Sequence, residues 1–141
     1  MPIRGLSHVT LIVSDVERAA RLWRDALGAT EVYDSGKQPY SLSEEKFFVL
    51  GDVWVALMKG EPVARSYRHV AFAADAGDMV EYERKLRALD VEIRPARARV
   101  KGEGISLYFY DYDDNLLELH SGTLQERLAQ YGNQQFTSGD G

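Results

Sequence analysis

The chain has 141 residues, of which 45% are hydrophobic and 28% are charged, as expected for one soluble globular domain. Its net charge of −5 predicts no general attraction to nucleic acid or to anionic membranes, and the absence of cysteine excludes disulfides, thiolate metal ligands and cysteine nucleophiles. The start of the chain lacks the apolar core of a signal peptide, and no apolar run has membrane-spanning length, so we expect a cytoplasmic protein.

The first half of the chain predicts a strand, a helix and four further strands. The alternating segment at residues 5–13 is rich in β-branched side chains, and it places His8 and Thr10 on one face of a strand. Ser14 or Asp15 is the candidate N-cap of the helix that follows. Further strands are predicted at residues 30–33, 40–42, 47–50 and 53–58.

The second half repeats this order at an offset of 61 residues, the separation of His8 and His69 (69 − 8). Its predicted elements are strands at residues 68–74, 91–94, 106–111 and 116–120 and a helix at residues 75–89. Two such copies predict an α+β fold with antiparallel sheets and helices outside them. The modules span about residues 5–60 and 66–122 of a single domain at 1–131, which ends in a helix at 123–131 before a flexible tail at 132–141.

A carboxylate, Glu118, lies inside an apolar strand, where its burial is costly unless something pairs with it. His8 and His69 occupy equivalent positions at the heads of strands in the two modules, although a single histidine there is more often an ordinary surface residue. In the first module the equivalent of Glu118 falls at Ala56 or Leu57, depending on the turn, and neither can bind a metal. We therefore predict a metal site of His8, His69 and Glu118 with an open side, as in catalytic sites. The ligand types suit Mn²⁺, Fe²⁺, Zn²⁺ or Ni²⁺.

Two further segments are more specific than these ligands: Ser41-Leu-Ser-Glu-Glu-Lys-Phe-Phe48 and Arg99-Val-Lys-Gly-Glu-Gly104. Together with the strands around the predicted ligands, they resemble the vicinal oxygen chelate superfamily, which includes glyoxalases and extradiol dioxygenases. The closest resemblance is to fosfomycin resistance proteins of the hydrolase type, the FosX group. It extends from about Gly5 to Tyr131.

The resemblance implies two βαβββ modules paired across a homodimer, in which His8 joins His69 and Glu118 of the partner subunit. It implies a Mn²⁺-dependent enzyme that adds water to the epoxide of fosfomycin and so confers antibiotic resistance, with other divalent metals left open. Glu45 would be the general base that activates the water. The implied substrate-binding positions are Thr10, Trp54, Tyr67, Ser106, Tyr108 and Arg127.

Several alternatives stay open at this stage. The protein could instead be a transferase that adds a thiol to the same epoxide, another enzyme of the superfamily with a different small substrate, or a metal-free drug-binding protein of the same fold. A basic cluster before Ser106 is either a solvated loop or a patch that attracts a dianionic substrate. Its members are Arg94, Arg97, Arg99 and Lys101.

Overall fold

Two four-stranded sheets, one from each half of the chain, form the framework of the molecule. The computed structural model describes residues 2–36, 38, 41–95 and 104–132, and the backbone alone at residues 133–139. Sheet A contains β1 (His8–Val13), β2 (Thr30–Asp34), β3 (Glu45–Leu50) and β4 (Val53–Lys59). Sheet B contains β5 (His69–Ala73), β6 (Glu92–Ile93), β7 (Ser106–Tyr110) and β8 (Leu116–His120).

The two sheets have the same topology, β1-β4-β3-β2 and β5-β8-β7-β6, so the predicted α+β fold of two βαβββ modules is confirmed. The expectation of purely antiparallel sheets was wrong, because β1 pairs with β4, and β5 with β8, in parallel. In each module the helix carries the chain from the first strand to the far edge of the sheet. The three remaining strands are each antiparallel to the next. The last of them lies beside the first strand and runs in the same direction. Side-chain alternation has the same period in either direction and cannot reveal this.

Each module places one helical segment between its first two strands. Helix α1 (Val16–Arg21) begins at Asp15, whose carboxylate accepts a hydrogen bond from the Arg18 amide at 3.0 Å, and it continues as a π-helical turn at Leu22–Ala26. Asp15 is therefore the N-cap, rather than Ser14. Helix α2 (Met79–Ala88) follows a 3₁₀ turn at Ala76–Asp78.

One face of each sheet, its rear face, packs together with the helices in a single hydrophobic core. Phe48 of β3 and Phe109 of β7, which the repeat offset aligns (109 − 48 = 61), are both fully buried in it. Trp23, after α1, meets Phe72 of β5 edge-on with ring centroids 5.8 Å apart, so the core is continuous between the modules. Since the apolar faces point inward, the front faces of the two sheets are left for function.

Two boundaries differ from the predicted ones. Helix α3 spans Leu124–Gly139, eight residues beyond the expected end at residue 131 (139 − 131). It contains no proline, and one internal glycine costs a helix only about 1 kcal/mol, which does not end it. That residues 132–141 are flexible stays a prediction. The strand expected at residues 40–42 is wrong for Ser41 and Leu42, which lie in bends, and Tyr40 lies outside the described residues.

No helix in the described part of the chain combines the length and hydropathy needed to cross a bilayer.

Candidate metal and substrate site

The predicted site residues lie on or beside the front faces of the two sheets and form two separate groups. Half-site A, on sheet A, contains His8, Thr10, Glu45 and Trp54. Half-site B, on sheet B and beside it, contains His69, Glu118, Ser106, Tyr108, Tyr67 and Arg127. Within the described residues, no group of three or more His, Cys, Asp or Glu side chains could hold a metal ion. One chain therefore assembles only part of the predicted ligand set.

The pair His69 and Glu118 forms the centre of half-site B. Glu118 is buried on the inner strand β8, and His69 lies at the head of the neighbouring edge strand β5. Nε2 of His69 is 3.2 Å from Oε1 of Glu118. Both residues line a cleft whose walls also include Arg127 and Thr123, at the start of α3.

These two atoms fit a shared cation. Nδ1 of His69 lies 2.8 Å from the carbonyl oxygen of Tyr67, which places the ring proton on Nδ1 and leaves an electron pair on Nε2. This is the usual outer hydrogen bond of a metal-binding histidine. Two ligands about 2.1 Å from one ion, at about a right angle, lie about 3.0 Å apart. The separation of Nε2 and Oε1 is close to that value.

His8 is separated from this pair and belongs to half-site A. It is exposed at the head of β1, where its ring lies against Trp54 of β4 with centroids 4.3 Å apart and the two planes tilted by 33°. Ser7 Oγ lies 3.0 Å from its Nδ1. Thr10, two residues further along the same face, pairs with Ala56. A second sheet must approach this face before His8 can join the other two predicted ligands.

Glu45 begins β3 on the same face as His8. It is only 6% exposed, which is unusual for a carboxylate, and no hydrogen bond or ion pair of its carboxylate is seen among the described residues. Its backbone is fixed instead, since its amide donates to Ser35 Oγ and its carbonyl accepts from the Ser35 amide, both at 3.0 Å. His8 pairs with Trp54 and Glu45 pairs with Met58, so Ala56 lies midway between them on β4. Ala56, whose methyl group offers no ligand atom, therefore separates the predicted ligand His8 from the predicted base Glu45.

Lys46, the next residue, anchors β3 from the opposite face. Its ammonium group lies 2.8 Å from Asp34, 3.2 Å from Glu17 and 3.3 Å from Glu31. Burial lowers the pKa of Lys46, but the hydrogen bonds to the three carboxylates outweigh it and raise the pKa above its ordinary value. The same contact with Lys46 lowers the pKa of Asp34. This network fixes the strand that presents Glu45.

Aromatic and polar side chains surround His69. Tyr67 Oη donates to Tyr108 Oη at 3.3 Å, and both rings lie near the His69 ring, with centroids 4.9 and 5.4 Å away. Ser106 Oγ donates to Glu118 Oε2 at 2.6 Å. These contacts bring the predicted substrate-binding residues Tyr67, Tyr108 and Ser106 next to the His69–Glu118 pair.

Two residues that were not among the predicted site residues, His120 and Arg94, contact members of half-site B. His120 joins Ser106 to Arg127 inside the cleft. The available signal was its position two residues after Glu118 on the same strand face. Arg94 belonged to the undecided basic cluster, and its guanidinium lies 5.2 and 5.6 Å from the ring centres of Tyr67 and Tyr108. The other members of that cluster lie outside the described residues: Arg97, Arg99 and Lys101.

Comparisons with known proteins identify the family of the chain. Residues 5–119 match the model of the Glyoxalase/Bleomycin resistance protein/Dioxygenase superfamily. Over 128 residues the chain is 52% identical to the fosfomycin resistance protein FosX of Mesorhizobium japonicum, covering 90% of this chain and 92% of the relative. It is 34% identical over 134 residues to the metallothiol transferase FosB of Staphylococcus haemolyticus, covering 92% of this chain and 91% of that protein.

Among solved structures, similarity is high to a variant of FosX from Listeria monocytogenes complexed with Mn(II) and 1S,2S-dihydroxypropylphosphonic acid. The TM-score is 0.83 at 43% sequence identity, and the match covers 92% of this chain and 99% of that one.

Proposed function

Because the chain belongs to the Glyoxalase/Bleomycin resistance protein/Dioxygenase superfamily, and within it to the FosX group, we propose that it is a Mn²⁺-dependent fosfomycin hydrolase. The enzyme adds water to the epoxide of fosfomycin, gives a vicinal diol and so confers resistance. The observation that carries the proposal is the convergence of His69 Nε2 and Glu118 Oε1, 3.2 Å apart, in a cleft that also contains Arg127. The solved relative with Mn(II) and a dihydroxypropylphosphonic acid supports both the metal and the product class.

The proposed ligands of the metal are His69 and Glu118 together with His8. Two imidazoles and one carboxylate suit Mn²⁺. When bound there, the ion would supply a Lewis acid that polarises the epoxide oxygen. Three protein ligands leave open positions for a small substrate.

The chain's own residues perform the remaining tasks. Glu45 takes a proton from water as the water oxygen attacks an epoxide carbon, while the carbon–oxygen bond of the ring breaks and the released oxygen gains a proton. Arg127 binds the phosphonate, since a guanidinium offers paired donors to its oxygens. Tyr108 completes the anion site, Ser106 lies beside it with its hydroxyl bonded to Glu118, and Thr10, Trp54 and Tyr67 line the pocket. Arg94, near both tyrosine rings, adds positive charge to the approach.

We further propose that the working form is a cytoplasmic homodimer. His8 lies on sheet A, whereas His69 and Glu118 lie on sheet B, and no described cluster of the chain unites them. A second copy, related by a two-fold axis, can bring its half-site B over half-site A of the first and at the same time receive the reverse contact. Each of the two resulting sites would then contain residues of both subunits.

The experiment that tests the proposed function is ³¹P NMR of fosfomycin incubated with the purified protein, with and without Mn²⁺ and with and without glutathione. We expect the diol to form with Mn²⁺ alone, at a rate that the thiol does not change. Turnover only in the presence of a thiol would support a transferase of the FosB kind instead. Unchanged fosfomycin under all conditions would contradict the assignment to this drug and would leave the fold unaffected.

A further inference from the structure

Four side chains of half-site B form a continuous line of hydrogen-bonding contacts from Arg127 to Glu118. Arg127 Nη2 lies 3.1 Å from Nε2 of His120. Nδ1 of His120 lies 2.7 Å from Ser106 Oγ, and Ser106 Oγ donates to Glu118 Oε2 at 2.6 Å. His120 therefore connects the predicted anion-binding arginine to the carboxylate of the predicted metal site.

The two ends of this line determine the direction of each bond within it. A guanidinium can only donate and a carboxylate can only accept. His120 Nε2 must therefore accept from Arg127, and the ring proton lies on Nδ1, which donates to Ser106. The hydroxyl of Ser106 has a single proton, and it is directed to Glu118.

A further distance agrees with this assignment. Nδ1 of His120 is also 3.3 Å from Oε2 of Glu118, and a ring N–H at this separation is attracted to the carboxylate. The side chains of His120 and Glu118 are only 14% and 5% exposed. Bonds so shielded from water hold their direction more strongly than bonds at a surface.

We propose that His120 is a positioning residue that serves both ends of the reaction centre, an inference that rests on the proposed function. Toward the metal, it holds the Ser106 hydroxyl on Oε2 of Glu118, so that Oε1 stays directed at His69 Nε2. Toward the substrate, it holds one N–H of Arg127 and so fixes the plane of the guanidinium at the cleft. One imidazole thus couples the metal site to the anion site.

Two substitutions at this position separate the two tasks. In His120→Asn the amide nitrogen can take the place of Nδ1 and donate to Ser106, but the side chain is too short to reach Arg127. In His120→Gln the amide oxygen can take the place of Nε2 and accept from Arg127, but nothing replaces Nδ1. The readouts are the Mn²⁺ dissociation constant, measured by titration without substrate, and KM for fosfomycin at saturating Mn²⁺. Thermal unfolding of both variants serves as the control for folding.

The proposal predicts a crossed result. His120→Gln should weaken Mn²⁺ binding roughly 10- to 100-fold, as losses around metal ligands do, with little change in KM. His120→Asn should raise KM roughly tenfold through a poorly held Arg127, with little change in Mn²⁺ affinity. Any other pattern, including equal losses or none, overturns the proposal.

The tautomer can be read directly by ¹⁵N NMR of the metal-free protein. The chain contains three histidines, and the spectrum of His120→Asn identifies the signals of His120. We expect a proton on Nδ1 in the wild type and a mixture of tautomers in Arg127→Met. A wild-type His120 with its proton on Nε2 overturns the inference even if fosfomycin is hydrated. The expected tautomer in a protein that leaves fosfomycin unchanged would contradict only the proposed function.

Discussion

Ala56 occupies in sheet A the position that Glu118 occupies in sheet B. Thr10 pairs with Ala56, and Ala71 pairs with Glu118. Thr10 and Ala71 are related by the repeat offset of 61 residues (71 − 10). Of the two positions that the sequence left open, Ala56 is therefore the equivalent one, and Leu57 lies fully buried in the core. A methyl group cannot bind a metal, so the proposed metal site would have three protein ligands and none from position 56.

The base assignment predicts the effect of Glu45→Gln. We expect kcat for fosfomycin hydration to fall by ~10²–10⁴-fold, because an amide cannot take the proton of the attacking water. Mn²⁺ affinity should stay near the wild-type value, since Glu45 is not a proposed ligand. The rates are measured by ³¹P NMR at saturating Mn²⁺.

The neighbouring carboxylate provides the matched control. Glu44 contacts Lys59 through its backbone carbonyl, at 2.8 Å, and Glu44→Gln leaves this bond intact. Glu44→Gln should therefore have the wild-type rate. Wild-type kcat in Glu45→Gln, or an equal loss in both variants, would remove Glu45 from its role.

The shared site predicts complementation between two inactive variants. His8→Ala lacks one proposed ligand on sheet A, and Glu118→Gln lacks one on sheet B. In a mixed dimer, one of the two sites combines the intact His8 of one subunit with the intact Glu118 of the other. Random mixing makes half of all dimers mixed, so the mixture should recover about a quarter of the wild-type activity.

The alternative makes a different prediction for the same mixture. If each subunit completed its own site, every site would lack one ligand and no activity would return. The mixture is made by unfolding and refolding the two variants together, and the dimer is checked by sedimentation. Each variant refolded alone is the control.

The Lys46 network predicts a stability change with a defined pH dependence. Lys46→Met should destabilise the fold by roughly 1–2 kcal/mol at neutral pH, between the values of exposed and buried ion pairs. The hydrogen bond from Lys46 lowers the pKa of Asp34 from its ordinary value of 3.8. A carboxyl group whose pKa is lowered by folding stabilises the protein fully at pH values above its ordinary pKa. This stabilisation is lost as the pH falls through the pKa of the folded state.

The difference between the wild type and Lys46→Met should therefore shrink as the pH falls below 3.8. Urea unfolding over a series of acidic pH values measures it. The exposed Lys59 at the end of β4 supplies the control, and Lys59→Met should change stability little at any pH. A constant difference between Lys46→Met and the wild type across this range would contradict the linkage to Asp34.

Gly104 predicts a steric limit next to half-site B. It has a φ of +87°, and a Cβ at this position would lie 2.6 Å from the amide nitrogen of Gly122, on the loop that leads to α3. Gly104→Ala should therefore destabilise the fold by about 2–4 kcal/mol, from backbone strain and from displacement of Gly122. Mn²⁺ binding should also weaken, because Ser106 and the end of β8 move with these loops.

The matched control is Gly51, in the turn between β3 and β4. It has a φ of +59°, but a Cβ there would meet nothing within 4 Å. Gly51→Ala should therefore show the strain alone, about 1 kcal/mol, with unchanged Mn²⁺ binding. Equal losses in the two variants would show that the approach of Gly104 to Gly122 has no part in stability.

The sequence by itself determined the two modules, the α+β class and the identity of the predicted ligands. The repeat is visible because strands and helices have different hydrophobic periods, and these survive in each copy. The same periodicity identified Glu118 as a carboxylate inside a buried strand. The segment around Glu45 is specific enough to carry the resemblance to the FosX group. The predicted metal triad is shared by many proteins and could not identify that group by itself.

Tertiary structure decided how these residues meet. Strand order and direction depend on contacts between distant parts of the chain, so the parallel pairing of β1 with β4 and the equivalence of Ala56 with Glu118 were not accessible from local patterns. The separation of His8 from the His69–Glu118 pair also appears only when the sheets are in place. The position of His120 depends on rotamers of four side chains from β7, β8 and α3. A one-dimensional pattern indicates which face a side chain takes, but packing alone fixes which atom of its neighbour it meets.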